Sequence, residues 1–193
     1  RIKTVHNQKN NLDLSPEQST LLEKTYQRFV RNGANLSDAE KEKYREITKE
    51  LSQLSLKFGE NVLAETNAFE LQVTDRNELG GLPDYLLESA AQTAKSKNKE
   101  GWIFTLQYPS YVPFMKYADN RELREKMFRA FTTKGNHGNE YDNNEIIRRI
   151  VELKLEKARL LGYHSHAEYQ LAERMAETPE RVGKFLQELH EAS

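Results

Sequence analysis

The sequence contains no cysteine. Disulfides, thiolate metal sites and a cysteine nucleophile are excluded together, and a reducing compartment is compatible with that lack. Charge of one sign is also missing. The 29 basic and 30 acidic residues leave a formal net charge of −1 and are interspersed along the chain. A nucleic-acid footprint needs a basic stripe and a polybasic membrane anchor needs a cluster, so neither partner is expected. No apolar run approaches the roughly 20 residues of a membrane-spanning helix, and no signal peptide is visible. Phosphate-loop and dinucleotide fingerprints are absent, as are a nucleophile elbow and any repeat of solenoid period. The chain opens on Arg1 rather than methionine, and both ends read as cuts in a longer polypeptide.

What the sequence has in abundance is helix punctuation. In "SPEQ", Ser15 suits an N-cap, Pro16 the first helical position and Gln18 the capping-box partner. The helix that follows carries Leu22, Thr25, Phe29 and Val30 on one side and stops at Gly33, which suits a left-handed cap. Ser37 and Glu40 repeat the box. They open the longest helix, from Asp38 to about Glu65, whose face reads Tyr44, Ile47, Leu51, Leu54, Phe58 and Val62. The period then switches to two over residues 69–74 (Phe69, Leu71, Val73) and again over 102–108 (Trp102, Phe104, Leu106, Tyr108). Between these strands, Pro83 begins a helix over Asp84–Lys97. The pair fits a parallel crossover, although the pattern leaves the direction open.

"YPSYVPFMKYADN" reads as a bend with one helical turn, and "NRELREKMFRAFTTK" as a helix burying Leu123, Met127, Ala130 and Phe131. "GNHGNEYDN" reads as an exposed loop. Asp142 with Glu145 starts an apolar helix ending at Gly162, and Ser165 with Glu168 starts another. Thr178-Pro179 starts the last, with Val182, Phe185, Leu186 and Leu189 expected inward. The fold class is therefore mainly α, with one small two-stranded β element at about 69–74 and 102–108.

The histidines do not make a site. His190-Glu191 spells the start of His-Glu-x-x-His, but the second histidine would fall beyond Ser193 and the flanking Gln187 and Glu188 are polar. His164 and His166 lie two apart, so on a helix they would point about 200° away from each other, and Gln170 is a poor further ligand. The pattern is better read as a helix entrance. His137 sits in the glycine-rich loop, and the many glutamates alternate with lysine and arginine as on a salt-bridged solvent face. No catalytic residue and no metal ligand is nominated from residue chemistry.

Four stretches taken in order carry a resemblance. "LSQLSLKFGENVLAETNAFEL", "GGLPDYLLESA", "GWIFTLQYPSYVPFMKYADNRELREKMFRAF" and "YDNNEIIRRIVELKLEKARLLGYHSHAEYQLAERMAETPERVGKFLQEL" resemble the zinc oligopeptidases typified by thimet oligopeptidase, oligopeptidase A and peptidyl-dipeptidase. "PSYVPFMKYADNRELRE" is most similar to the bacterial peptidyl-dipeptidase branch. The resemblance runs from about Leu36 to Ser193 and implies one partial domain over residues 1–193, the N-terminal helical lobe of a two-lobed peptidase whose catalytic zinc domain is absent. It implies that His190-Glu191 lies well before the family's zinc helix, and that no zinc ligand, general base or transition-state-stabilising side chain has a counterpart here.

By the same resemblance, the parent enzyme uses zinc to polarise water and the scissile carbonyl while a glutamate takes the proton. It hydrolyses short peptides in a narrow channel, and this segment binds no zinc, faces the missing catalytic lobe and restricts access. Tyr108, Tyr111 and Arg121 are the candidates to line that channel, the alternative being that they pack the joint between strand and helix. A cytoplasmic parent is expected, with the periplasm left open. The rival reading is a free-standing helical module that binds a partner helix or peptide in a groove.

Overall fold

The computed structural model describes all 193 residues. In chain order the elements are α1 (Ile2–Asn7), α2 (Pro16–Arg31), α3 (Asp38–Ala68), β1 (Leu71–Val73), α4 (Asp84–Ser96), β2 (Trp102–Phe104), α5 (Tyr108–Tyr117), α6 (Arg121–Thr132), α7 (Asn144–Leu160), α8 (His166–Leu171) and α9 (Pro179–Ala192). The class is mainly α with a single two-stranded sheet. The chain forms two compact units: Leu54–Arg148, which is continuous, and Arg1–Gln53 with Arg149–Ser193, which is not. No helix is long and apolar enough to cross a membrane.

The continuous unit holds the larger core. β1 and β2 pair antiparallel, with Leu71 opposite Phe104 and Val73 opposite Trp102, which resolves the direction the alternation left open. Leu71 and Val73 are buried and Gln72 is exposed, as expected of a strand covered on one face. α4 packs on β2 and supplies Leu86, Leu87, Ala90 and Ala94 to the interior. Phe104 and Phe114 are fully buried with ring centroids 4.7 Å apart. Truncating either to alanine would cost about 3–5 kcal/mol.

β2 ends at Phe104, four residues short of the alternating stretch, and "YPSYVPFMKY" is a ten-residue helix rather than a bend. The cause is local. Pro109 sits in the first turn of α5, where its fixed φ favours helix and its missing N–H costs nothing. Ser110 Oγ accepts the Thr105 N–H at 3.0 Å and ends the extended run. Pro113 lies inside α5 and leaves the Pro109 carbonyl without its intrahelical donor. α6 is capped by Asn120, whose side chain accepts the N–H groups of Glu122 and Leu123. The Arg124 guanidinium donates to the carbonyls of Ala118 and Asp119 and closes the turn between α5 and α6.

The discontinuous unit is held more by polar contacts. Ser15 and Gln18 complete the expected capping box on α2. His6 of α1 stacks on Tyr26 with centroids 3.8 Å apart and bonds Glu23 at 3.0 Å. Arg31 donates to Tyr163 Oη at 3.0 Å and to the Tyr169 carbonyl at 2.7 Å. Arg149 of α7 forks onto Glu50 of α3 at 2.7 and 2.9 Å, a bidentate pair. Ile47, Leu153 and Ala158 are the buried apolar side chains here.

α9 departs from expectation. Phe185, Leu186 and Leu189 are 58%, 57% and 52% exposed rather than inward, and Val182 is only half-buried. The amphipathic pattern is present, but α9 packs chiefly on the six-residue α8, too short to cover its apolar face.

Candidate functional site

The most organised polar cluster lies in the continuous unit, on the last turns of α3. Sequence periodicity puts the apolar face of that helix at Phe58 and Val62. The structure instead buries the polar side chains Asn61 and Glu65, 1% and 9% exposed. Asn61 Nδ2 donates to Asn143 Oδ1 at 3.0 Å, and Asn143 Nδ2 donates to the Phe58 carbonyl at 3.3 Å. Glu65 is therefore no member of a salt-bridged solvent face. Its Oε2 accepts the Gly135 N–H at 2.6 Å, and its Oε1 accepts from His137 Nδ1 at 3.0 Å and Asn139 Nδ2 at 2.9 Å. Burial alone would push the carboxyl up. The bonds from His137, Gly135 and Asn139 together outweigh it, and its pKa lies below the ordinary glutamate value.

The loop after α6, which the sequence presents as merely exposed, is thus pinned to α3 at its base. Gly135 makes this possible: its φ is +72°, and a Cβ there would stand 2.7 Å from Asn143 Nδ2. His137 Nε2 lies 2.8 Å from Thr133 Oγ1, giving a hydroxyl–imidazole–carboxylate order. The arrangement does not make a nucleophile, because the Thr133 hydroxyl donates to the Arg129 carbonyl at 2.7 Å. With its proton committed to the helix, the Thr133 hydroxyl is not available to be activated by the imidazole.

Beside this cluster opens a cavity of about 340 Å³, with Ala68, Phe69, Leu106 and Ala130 as apolar walls and Lys134 and Tyr141 among its polar groups. The Lys134 ammonium lies 3.9 Å from the Phe131 ring centroid, a cation–π distance, and burial lowers its pKa. Tyr111 stacks on the same ring at 4.0 Å and 11°, and Tyr108 meets it edge-on at 5.9 Å. Burial, with a smaller contribution from Tyr108, raises the Tyr111 pKa.

The three channel candidates are therefore not one group. Tyr108 and Tyr111 gather on Phe131 near the end of α6. Arg121 begins α6, ten residues or about 15 Å earlier along the helix. There it lines a separate groove of about 460 Å³ with Met115, Arg124, Glu125, Phe128 and Arg129. Tyr108 is 69% exposed and Arg121 is exposed, whereas Tyr111 is half-buried. Glu65, Asn61 and Lys134 escaped sequence reasoning because helical periodicity registers apolar positions only. No local spacing links Glu65 to a loop some 70 residues away.

The structure does not bring any three His, Asp or Glu side chains together in a metal-holding arrangement. His190 is exposed near the end of α9, and His164 is exposed before α8. His166 is half-buried with Nδ1 lacking a partner, and burial together with Lys154 and Lys157 lowers its pKa. The residues present do not fit zinc. Ser165 accepts the Glu168 N–H at 3.1 Å while Glu168 accepts the His164 N–H at 2.9 Å, which makes this stretch the helix entrance its pattern suggests.

Residues 114–193 of the chain match the model of peptidase family M3. Among individual proteins it is similar to oligopeptidase A of Haemophilus influenzae, at 39% identity over 93% of this chain and 27% of that protein. It is 42% identical to the probable cytosolic oligopeptidase A of Arabidopsis thaliana, over 93% of this chain and 26% of the relative. It is 32% identical to the dipeptidyl carboxypeptidase of Escherichia coli, over 98% of this chain and 28% of that enzyme. The chain spans about a quarter of the length of the curated relatives it matches.

Proposed function

We propose that this chain is part of the N-terminal, non-catalytic helical lobe of a zinc oligopeptidase that hydrolyses short peptides in the cytoplasm. Its role in the whole protein is to restrict which substrates reach the catalytic centre. The observation that carries this reading is the match of nearly the whole chain to about a quarter of proteins named as oligopeptidases and dipeptidyl carboxypeptidases. The uncovered apolar face of α9 supports it, since a contiguous apolar patch marks a surface built to meet another. In this reading the zinc, its ligands and the general base come from other parts of the protein. Tyr108 and Arg121 are the side chains free to face a channel, while Tyr111 acts through the ring of Phe131.

The test is a peptidase assay on an internally quenched short peptide, with zinc content measured on the same purified sample. No turnover and no bound zinc are expected from these residues alone, and adding the remainder of the protein should restore activity. Chelator-sensitive turnover with stoichiometric zinc would overturn the reading and return attention to His190, His164 and His166. An inert chain that binds a partner helix, with no gain on adding the remainder, would favour the free-standing module.

A further inference from the structure

We infer that the cavity beside Lys134 is a binding site for a carboxylate carried on an apolar body, and that the ligand it fits is the C-terminal residue of a short hydrophobic peptide. The choice of a peptide rests on the function proposed above; the chemistry of the site does not.

Three observations converge. First, the walls are apolar, from Ala68, Phe69, Leu106 and Ala130, and about 340 Å³ lies at the low end for ligand pockets. That suits a group of single-residue size rather than a cofactor. Second, Lys134 has no ion-pair partner. Its ammonium is half-buried and held against the Phe131 ring, and Phe131 is itself fixed by its stack on Tyr111. A cation partly withdrawn from water without a counter-charge is costly, and a carboxylate docking on it would form a charge-assisted hydrogen bond. Third, the carboxylate at the pocket edge is turned to other partners. Glu65 pairs with His137 and holds Gly135 and Asn139, and it makes no ion pair with Lys134, which leaves room for a carboxylate from outside. The result is one cation without a carboxylate partner facing an apolar cavity, beside Glu65, His137 and Asn139, which are already paired with one another.

The experiment titrates the 193-residue chain with N-acetylphenylalanine, N-acetylphenylalaninamide, Gly-Gly-Phe and hexanoate, following the backbone amide resonances of residues 130–139. The free acid should bind saturably at one site, at least tenfold tighter than its amide. Gly-Gly-Phe should bind at least as well as the acetylated residue. Lys134→Met should remove the preference for acid over amide, and Lys134→Arg should keep most of it. Both variants are checked by circular dichroism. Should Lys134→Met fail to fold, the acid-over-amide ratio and the position of the shifts in the parent chain still decide. Equal binding of acid and amide, shifts away from this loop, or unchanged preference in Lys134→Met would overturn the site. Hexanoate binding as tightly as Gly-Gly-Phe would overturn the peptide assignment. None of these readouts needs zinc or turnover, so the site and the peptidase reading fail separately.

Discussion

Replacing Glu65 by glutamine changes one atom type, and the structure sets the cost. The carboxylate accepts three hydrogen bonds at 2.6–3.0 Å, whereas an amide offers one acceptor and one donor. If the amide oxygen keeps His137 and Asn139, its NH2 faces the Gly135 N–H. If it keeps Gly135, its NH2 faces the other two. His137 and Asn139 are exposed and can turn to water; Gly135 is buried. The loss is therefore dominated by one orphaned or opposed backbone donor, worth about 1–3 kcal/mol, plus the weakening of a bond that was charge-assisted. About 2–3 kcal/mol is expected for Glu65→Gln, well below the sum of three separate bonds.

Urea unfolding monitors the global change, and amide hydrogen exchange at Gly135 the local one. The pH dependence supplies a second arm. The folded pKa of Glu65 lies below the ordinary value, near 4.3 in an unfolded chain. Its contribution is thus complete above that value and lost as pH falls through the folded pKa. The parent should lose protection at Gly135 as pH falls through the lowered folded pKa of Glu65, and Glu65→Gln should lack that step. A stability change under about 0.5 kcal/mol, with Gly135 still protected, would refute the view that this carboxylate holds the loop.

Three further outcomes follow from the same geometry. Gly135→Ala should destabilise by about 1–3 kcal/mol, because it adds left-handed strain and drives a Cβ against Asn143; a thermal melt measures it. Met127→Ala, at a fully buried position of α6, should cost about 2–5 kcal/mol by urea unfolding. Phe185→Ser with Leu189→Ser should leave stability of this chain within about 0.5 kcal/mol, since both sites are exposed. Light scattering should meanwhile show less self-association.

Legibility in the sequence followed the range of the interactions. Ser15, Ser165 and Thr178 cap the helices their neighbours announce, because a cap is satisfied within three residues. The two strands were visible as alternation, but the end of β2 was not, since Leu106 continues the pattern from a non-strand position and remains buried. α5 was hidden by its prolines, which read as a bend until their positions within the first two turns are known. α9 was legible as a helix, yet its buried side was assigned on the assumption that a partner exists within the chain. Glu65 and Lys134 depend on contacts that only the tertiary fold creates. The resemblance nominated Tyr108, Tyr111 and Arg121 for a channel; the first two gather on Phe131 and the third lines a separate groove.

The buried Asn61–Asn143 bond has a consequence for the order of assembly during synthesis. Leu54–Arg148 is complete once the ribosome has delivered residue 148, whereas the other unit must wait for its second segment. The Glu50–Arg149 pair of that unit closes an interval of 99 residues, which in a flexible chain carries an entropy cost of about 4 kcal/mol. Asn61 joined to Asn143, with Asn143 also reaching Phe58, draws the two ends of the continuous unit together first. The long closure is then already made when Arg149 emerges, and only a short span remains to be ordered. Nascent chains halted only once residue 148 has cleared the exit tunnel should therefore protect Leu54–Arg148 from protease while residues 1–53 stay cleavable, and Asn61→Ala should delay the maturation of both segments.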